Sequence, residues 1–310
     1  AAIMALTQLM EGGLYLQPTE ERRRSGSHYT PRSLTKPIVE NTLRPILKNL
    51  GARTPDQILS LKVCDPAMGS GAFLVEACRF LGEALVESWN VHGGAPRIPP
   101  DEDPLIHAQR LVATRCLYGV DKNERAVDLA KLSLWLATLA KDHPFTFLDH
   151  SLRHGDSLVG LTNAQIAAFH WKPQQKFDRV SDELERALKA AATKRAAIHA
   201  LGDAGDVGEK AALHDEAQHE TATARRAGDL VIAAFFSREN EKARDSEARG
   251  LASELLREGD GKADPAILDI VVAGLRRGSR TIPPFHWEIE FPEVFSRENG
   301  GFDAFVGNPP

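Results

Sequence analysis

The sequence predicts an α/β fold, a doubly wound parallel sheet with a large helical insertion. Two observations predict the sheet: short apolar runs alternate with amphipathic helical segments, and glycine-rich or acidic motifs follow several of those runs. A third observation predicts the insertion, because residues 178–234 contain no Phe, Trp or Tyr and are dominated by Ala, Glu, Lys and Arg. With 310 residues, the chain is long enough to bury a large core.

The first predicted elements lead to a glycine-rich loop. We expect a short helix at residues 3–10 and a second helix from Pro37, where proline suits the first turn and Ser33 or Thr35 can cap it. Pro45 should interrupt or kink that helix. Residues 61–64 are apolar and precede glycines, which predicts a buried strand, and apolar residues at helical spacing predict a helix from Ala72.

A second and a third strand are expected next. Residues 92–104 are rich in Gly, Pro and Asp, which predicts a loop, and a helix through Leu111 follows. Residues 117–120 predict a strand ending at Asp121, and Asn123 caps the next helix. A third strand region at residues 145–154 precedes Gly155 and Asp156. The apolar face of the helix after Asn123 carries Val127, Leu129, Leu132, Leu136 and Leu139.

The later part of the chain predicts a helical excursion and a return to the sheet. Large apolar residues are sparse after Trp171, so we expect helices that project into solvent or meet a partner, with a break at residues 202–205. A solvated spacer without chemistry is the favoured interpretation. Residues 285–291 alternate enough to predict a returning strand, and residues 302–306 predict a last one. The resulting domain map is 1–32, 33–162, 163–282 and 283–310.

Composition and charge limit the classes of function. The formal net charge of −5 argues against the chain alone being a complete nucleic-acid binder, although Arg22-Arg23-Arg24 is a local basic patch. No apolar run approaches membrane-spanning length and no signal peptide is visible. Cys64, Cys78 and Cys116 lack the spacing of metal ligands. We therefore expect no membrane partner, no metal, and a reducing, cytoplasmic compartment.

Three motifs at predicted strand ends suit a nucleotide-like ligand. Residues 65–73 contain Gly69 and Gly71 and open a helix, so the backbone can turn tightly and face an anionic group. Asp121 is placed to accept hydrogen bonds from both hydroxyls of a ribose. Asp156 could accept the exocyclic amine of an adenine. Each motif alone would suit an ordinary turn or cap, but the carboxyl ends of parallel strands line one crevice.

The last motif, Asn308-Pro309-Pro310, follows the last predicted strand and suits an amine substrate. The amine of an aromatic ring is a poor nucleophile because its lone pair is delocalised. The side-chain oxygen of Asn308 and the carbonyl of Pro309 can accept its two N–H groups and direct the lone pair at an electrophilic methyl group. Methylation at C5 of cytosine is disfavoured, because it needs a nucleophilic Cys, usually after Pro, and no cysteine here follows a proline.

Together these motifs resemble those of S-adenosylmethionine-dependent DNA adenine-N6 methyltransferases, which implies a Rossmann-like class I methyltransferase sheet. The motif order is similar to the gamma class, and residues 285–295 are similar to large enzymes of type IIG restriction-modification and phage-defence systems. The matching motifs are Tyr29-Thr30-Pro31, Asp65-Pro66-Ala67-Met68-Gly69-Ser70-Gly71-Ala72-Phe73, Asp121, Asp156 and Asn308-Pro309-Pro310.

The resemblance implies a role for each matching residue. It implies S-adenosylmethionine as cofactor, double-stranded DNA bound through a recognition domain, and possible defence-complex subunits as partners. Lys122 and Ser157 are further cofactor-binding candidates. The other assignments are Tyr29 and Thr30 against the cofactor; Asp65, Pro66, Ala67, Gly69, Ser70, Gly71 and Phe73 around its methionine part; Asp121 at its ribose; Asp156 at its adenine amine; and Asn308, Pro309 and Pro310 at the target amine.

Alternatives remain open for the substrate and for the chain itself. Asn-Pro-Pro with a glycine loop also suits methylation of a protein glutamine or an RNA base, since the amine chemistry is the same. A non-catalytic, cofactor-binding subunit of a defence complex is a further alternative. The sequence starts at Ala1 and stops inside the last motif. We therefore expect a piece of a longer protein that lacks an aromatic residue after Pro310 and is inactive alone.

Overall fold

A computed structural model describes residues 30–98, 100, 102–139, 147–172, 178–202, 205–276 and 281–309. Four parallel strands form one sheet in the order β3-β2-β1-β4, in which β1 pairs with both β2 and β4. The predicted parallel α/β, Rossmann-like fold is confirmed. The strands are β1 Val63–Asp65, β2 Leu117–Asp121, β3 Leu152–His154 and β4 Ala304–Phe305.

Helices connect and cover the strands. The helix predicted at residues 3–10 lies outside the described residues, as do residues 145–146 of the third strand region. Asn123 caps its helix as predicted, because its side chain accepts the N–H of Arg125 at 3.1 Å. The helices are α1 Arg32–Asn49, α2 Pro55–Leu59, α3 Ala72–His92, α4 Pro104–Arg115, α5 Glu124–Ala137, α6 Asn163–Ala167, α7 Asp178–Ala200, α8 Val207–Glu220, α9 Ala222–Ser237, α10 Glu241–Gly259, α11 Pro265–Leu275, α12 Trp287–Glu290 and α13 Pro292–Phe295.

The two faces of the sheet are covered by different parts of the chain. Val63 and Leu117 belong to a large core shared with α1 and α3–α5. Their neighbours Cys64 and Tyr118 belong to a second cluster with Phe285. Since successive side chains of a strand point to opposite faces, the sheet lies between two apolar layers. The second layer is supplied by the segment that follows the helical insertion.

The prediction that a helix begins at Pro37 is wrong, and Pro45 does not interrupt the helix, whereas a kink at Pro45 stays a prediction. The helix does not begin at Pro37: α1 starts at Arg32, and both Pro37 and Pro45 lie inside it without ending it. Each proline removes one helical hydrogen bond. Both are exposed, so the carbonyls released by them face water, while Val39 and Leu43 are buried against the core. Packing of the buried face therefore outweighs the local penalty.

The strand predicted at residues 285–291 is also wrong. Only Pro284 makes an isolated bridge, to Asp156, and the chain then forms the short helices α12 and α13. The alternation was misleading because the polar members are buried as well: His286 is fully buried and Glu290 is 4% exposed. Ion pairs and hydrogen bonds from distant residues satisfy them, and sequence spacing does not reveal those partners.

Helices α7–α11 occupy the stretch predicted to be helical, but the expectation that they project into solvent is wrong. Leu230 and Leu268 share a core with Ile166 and Ile289. Arg195 of α7 is 1% exposed and donates to the backbone carbonyls of His150 at 2.5 Å and Glu290 at 2.8 Å. The insertion is therefore packed against the sheet domain.

A buried ion-pair network completes this contact. The Glu290 carboxylate lies 2.7 Å from Arg153 in β3 and 2.5 Å from Arg225 in α9. Burial alone would raise the pKa of Glu290, but the two guanidinium groups hold it well below its ordinary value. The Glu290 carboxylate therefore stays ionised. Its ion pairs join β3, an edge strand of the sheet, to α9 of the insertion.

The apolar face predicted for α5 is only partly buried. Val127 lies in the core. Leu129, Leu132, Leu136 and Leu139 are 41–57% exposed. In the described part of the chain, no helix has the length and apolar character needed to cross a membrane. The same residues contain no group of three or more His, Cys, Asp or Glu side chains arranged to hold a metal ion.

Candidate active site

The sequence-predicted motifs lie at one edge of the sheet. Asp65 ends β1 and Asp121 ends β2, while Asp156 follows β3 by two residues and Asn308 follows β4 by three. Because all four strands are parallel, these positions share the carboxyl edge. The strand order places β1 between β2 and β4. Strands β2 and β3 are added on one side of β1 and β4 on the other, and ligands of open α/β sheets bind at such a switch point.

The glycine-rich loop is fixed to the end of β2. The N–H of Met68 donates to the Val120 carbonyl at 3.0 Å, and the N–H of Gly69 donates to Asp121 Oδ2 at 2.8 Å. Gly69 and Gly71 have φ values of +53° and +82°, which favour glycine. A Cβ at Gly71 would also lie 3.2 Å from Ala130 in α5. The loop therefore leaves a narrow cradle before the first turn of α3.

Other predicted loop residues differ in accessibility. Pro66, Ala67 and Ser70 are half-buried at the cradle. Phe73 is 3% exposed and its side chain lies in the main core, so its ring stabilises the start of α3. Thr30 is half-buried directly before α1. Tyr29, its predicted companion, lies outside the described residues.

Asp65 is a buried carboxylate at the centre of the site. It is 1% exposed, and its Oδ1 accepts the N–H of Ala67 at 3.1 Å. Burial raises the pKa of Asp65 to about 7; the Ala67 hydrogen bond lowers it and Asp121 raises it further. A carboxylate with one backbone donor and little water is suited to a cationic ligand group, whose charge would offset the cost of burial.

Asp121 connects the loop to the next helix. One carboxylate oxygen accepts Gly69 N–H and the other accepts Asn123 N–H, both at 2.8 Å. Each oxygen retains acceptor capacity after one such bond. The side chain is only half-buried, so two ligand hydroxyls could reach it from the crevice. Its capping and ligand roles are compatible.

Asp156 lies in the loop after β3, here named the Asp156 loop (residues 155–161). Its Oδ2 accepts Lys122 Nζ at 2.8 Å, and its Oδ1 accepts Leu158 N–H at 3.2 Å. The Lys122 side chain is 55% exposed, so this ion pair is weak and can be exchanged for a ligand donor. Ser157 is half-buried, and Leu158 is 93% exposed beside the carboxylate.

The end of β4 brings the last motif to the same place. Val306 N–H donates to the Cys64 carbonyl at 2.9 Å, which holds this segment beside β1. Asn308 and Pro309 are exposed, and Pro310 lies outside the described residues. A Cβ at Gly307 would lie 2.7 Å from Asp65 Oδ1. Gly307, which directly precedes Asn308, therefore lies against the Asp65 carboxylate.

Sequence reasoning missed two parts of this site. Gly307 was not singled out, although a glycine directly before Asn308 was a usable signal for a close approach. Residues 283–287 include the start of the strand predicted at 285–291, but they contact the Asp156 loop: Asp156 N–H donates to the Pro283 carbonyl at 2.7 Å. No local pattern distinguishes that contact from strand pairing.

Comparison with known proteins agrees with this geometry. The N-6 DNA Methylase family model matches residues 5–181, and the Eco57I restriction-modification methylase model matches residues 115–310. Each covers more than half of the chain. Their overlap contains Asp121 and Asp156, and the second match extends through the Asn-Pro-Pro motif.

Three curated proteins are similar to this chain over parts of their length. A putative type II restriction enzyme and methyltransferase of Methanocaldococcus jannaschii is 23% identical over 337 residues, covering 92% of this chain and 28% of that protein. The type II restriction enzyme and methyltransferase RM.Eco57I of Escherichia coli is 29% identical over 160 residues, covering 48% of this chain and 16% of that protein. The adenine-specific methyltransferase PglX of Streptomyces coelicolor is 28% identical over 182 residues, covering 56% of this chain and 13% of that protein.

The chain thus spans less than a third of the length of each of these relatives. The two family matches together run from residue 5 to residue 310 and include all four strands between them. The chain therefore belongs to the N-6 DNA methylase and Eco57I restriction-modification methylase families.

Proposed function

We propose that the full-length protein transfers a methyl group from S-adenosylmethionine to the N6 amine of adenine in double-stranded DNA, within a restriction-modification or phage-defence system. The single observation that carries this proposal is the position of Gly307, directly before Asn308, against Asp65 at the sheet edge that also carries Asp121. The family membership supports the reaction, and the restriction-enzyme and methyltransferase names of the relatives support DNA as the substrate.

The residues present fit the cofactor. Gly69 and Gly71 give the loop a backbone conformation that other residues rarely adopt, and Asp65 is a buried carboxylate suited to the ammonium group of the methionine part. Asp121 has spare acceptor capacity for two ribose hydroxyls. Asp156 would accept the adenine amine, after giving up Lys122. Pro66, Ala67, Ser70, Phe73, Ser157, Tyr29 and Thr30 complete the proposed cofactor site.

Asn308 and Pro309 act on the target base. The bound cofactor supplies an electrophilic methyl group. The Asn308 side-chain oxygen and the Pro309 carbonyl accept the two N–H groups of the amine, so its lone pair is directed away from the ring. Since Gly307 lies over Asp65, the end of β4 holds these acceptors beside the methionine part of the cofactor site. Orientation of this kind supplies much of a rate enhancement.

An Asn308→Ala substitution tests the mechanism. It removes one acceptor and should slow methyl transfer by roughly 10²–10³-fold, as the loss of a single preorganised polar group does elsewhere. Affinity for S-adenosylhomocysteine should change little, because the target amine is the main partner of Asn308. Methyl transfer from labelled cofactor to DNA by the full-length protein, followed by nucleoside digestion, measures both rate and product.

The matched control is Asn240→Ala, which removes the N-cap of α10, a helix of the insertion outside the proposed site. It should reduce stability by about 1 kcal/mol without a comparable loss of rate in the folded protein. An undiminished Asn308→Ala rate would refute the mechanism. Label recovered in protein, in RNA or at cytosine would refute the substrate.

The surroundings of the reaction belong to the same proposal. Cys64, Cys78 and Cys116 are all buried and free, which favours the reducing cytoplasm. We propose the domain map 1–32, 33–162, 163–282 and 283–310, with the second and fourth parts forming the sheet. DNA would be read by a recognition domain, and subunits of a defence complex are further proposed partners.

A further inference from the structure

The Asp156 loop is held by a segment that the proposed chemistry does not use. This segment, residues 283–287, is here named the clamp. It follows the helical insertion in the sequence but lies along the Asp156 loop in space. Four hydrogen bonds join them: Asp156 N–H to Pro283 O at 2.7 Å, Phe285 N–H to Val159 O at 2.7 Å, Leu161 N–H to His286 Nδ1 at 3.0 Å and Trp287 Nε1–H to Ser157 O at 3.0 Å.

Three glycines make this close approach possible. A Cβ at Gly160 would overlap the carbonyl oxygen of Phe285, and one at Gly155 would lie 2.6 Å from the Phe285 ring. A Cβ at Gly228, in α9, would lie 2.6 Å from the ring of His286. None of the three has a positive φ, so each supplies space rather than backbone freedom. The absence of side chains at Gly155 and Gly160 therefore lets the clamp pack directly against the backbone of the Asp156 loop.

His286 links the Asp156 loop to the helical insertion. It is fully buried, and its Nδ1 accepts Leu161 N–H, so its Nε2 carries the hydrogen. That nitrogen faces Asp229 Oδ1 of α9 at 3.3 Å. Asp229 is 2% exposed and also contacts Arg276 at 3.5 Å. Loss of either polar partner would leave a buried group unsatisfied, which fixes the orientation of the ring.

Trp287 acts on the residue next to Asp156. Its indole N–H bonds the carbonyl of Ser157, and its ring packs at 4.9 Å from Phe285 and 5.7 Å from Phe302. The aromatic packing holds the donor in place on the apolar layer beneath the sheet. Trp287 consequently fixes the Ser157–Leu158 peptide, and Pro283 fixes the Gly155–Asp156 peptide.

We propose that Trp287 and His286 are positioning residues that set the Asp156 carboxylate for selection of the cofactor's exocyclic amine. The proposal rests on the proposed function. Asp156 is on a loop and half-buried, and among the described residues its ion pair is with the exposed Lys122. The loop itself supplies the carboxylate with the Leu158 N–H at 3.2 Å, while the clamp holds the backbone at Asp156 N–H and at the Ser157 carbonyl, so selectivity for an amine depends on the clamp as well. A displacement of about 1 Å is enough to weaken such a contact severely.

The experiment compares two ligands that differ at the selected group and in the protonation of the adjoining ring nitrogen. S-adenosylhomocysteine carries the amine, and S-inosylhomocysteine carries a carbonyl oxygen in its place. Calorimetry on the full-length protein gives the affinity ratio for the wild type, Trp287→Phe, His286→Gln and Asp156→Ala. Trp287→Phe keeps an aromatic ring but removes the donor to Ser157. Trp171→Phe is the matched control, since Trp171 packs on His170 and Phe235 in the insertion.

The wild type should prefer the amine by roughly tenfold or more, as expected for a hydrogen bond to a charged acceptor. Trp287→Phe should reduce that ratio at least threefold with an unchanged melting temperature, and Trp171→Phe should leave it unchanged. His286→Gln keeps a donor towards Asp229 but releases Leu161, and should also reduce the ratio. The ratio is a readout that a purely structural role would not alter.

The outcomes separate this proposal from the proposed function. An unchanged ratio in Trp287→Phe, when Asp156→Ala abolishes it, would overturn the positioning role. A ratio that survives Asp156→Ala would show that Asp156 does not select the amine and would also overturn it, although DNA methylation would still stand. Absence of both ligand binding and DNA methylation in the wild type would overturn the two proposals together.

Discussion

Replacing Asp65 by Asn removes a charge from a place that water barely reaches. The carboxylate is 1% exposed and its pKa is raised to about 7 from 3.8, mainly by burial. That rise corresponds to about 4 kcal/mol of penalty on the ionised form in the folded state. The penalty is absent below pH 3.8, where the group is protonated in both states, and complete above pH 7. The contribution of Asp65 to the free energy of unfolding of the wild type therefore decreases as the pH rises from 3.8 to about 7.

We expect Asp65→Asn to increase the free energy of unfolding of the cofactor-free protein at pH 8 by about 1–3 kcal/mol. The gain is smaller than the full penalty because an amide is itself a polar group whose burial costs free energy. The gain should shrink as the pH approaches 4. The same substitution should weaken cofactor binding at pH 8, since it removes the proposed partner of the ammonium group.

Urea denaturation between pH 4 and pH 8, followed by intrinsic fluorescence, measures the first effect, and calorimetry with S-adenosylhomocysteine measures the second. Asp128→Asn is the matched control: Asp128 is exposed on α5, so its change should stay within about 0.5 kcal/mol. A variant that is no more stable than wild type at pH 8, or equally stabilised at pH 4, would contradict the burial argument. Unchanged ligand affinity would contradict the assignment of Asp65 to the cofactor.

Three further predictions concern the same structure. Gly307→Ala should reduce both cofactor affinity and methyl transfer, because its Cβ would lie 2.7 Å from Asp65 Oδ1; normal binding by calorimetry would contradict this. Asp121→Ala should weaken cofactor binding by about 1.5–3 kcal/mol for each charge-assisted bond lost, before compensation, and unchanged affinity would discard the ribose assignment. The pKa values of His150, His199 and His214 are lowered mainly by burial, to about 3 for the last two, so these groups favour folding less as pH falls from 6.5 towards 3. The denaturation midpoint should therefore decrease as the pH is lowered from 7 to 5, despite the opposite trend from Asp65. His199→Gln should make this decrease smaller.

The sequence by itself determined the elements whose cause is local. Gly69 and Gly71 mark the loop because their positive φ values require glycine, and Asn123 marks the start of α5 because its side chain caps the helix. Asp65 and Asp121 could be placed at one edge because parallel strands align their carboxyl ends. Composition was enough to predict that the insertion is helical, since helix propensity is largely a property of each residue.

Only the tertiary structure decided which polar groups are buried and what satisfies them. Glu290 and His286 looked like the solvent side of a strand, yet Arg225 and Asp229 lie 65 and 57 residues away in sequence and hold them inside. The leucines of α5 looked like a core face, yet Leu136 is 57% exposed. Such outcomes depend on which surfaces meet in space, and burial of a polar group is favourable only when its partner arrives as well. That pairing is long-range, so the link from the insertion to the Asp156 loop could be found only in the folded chain.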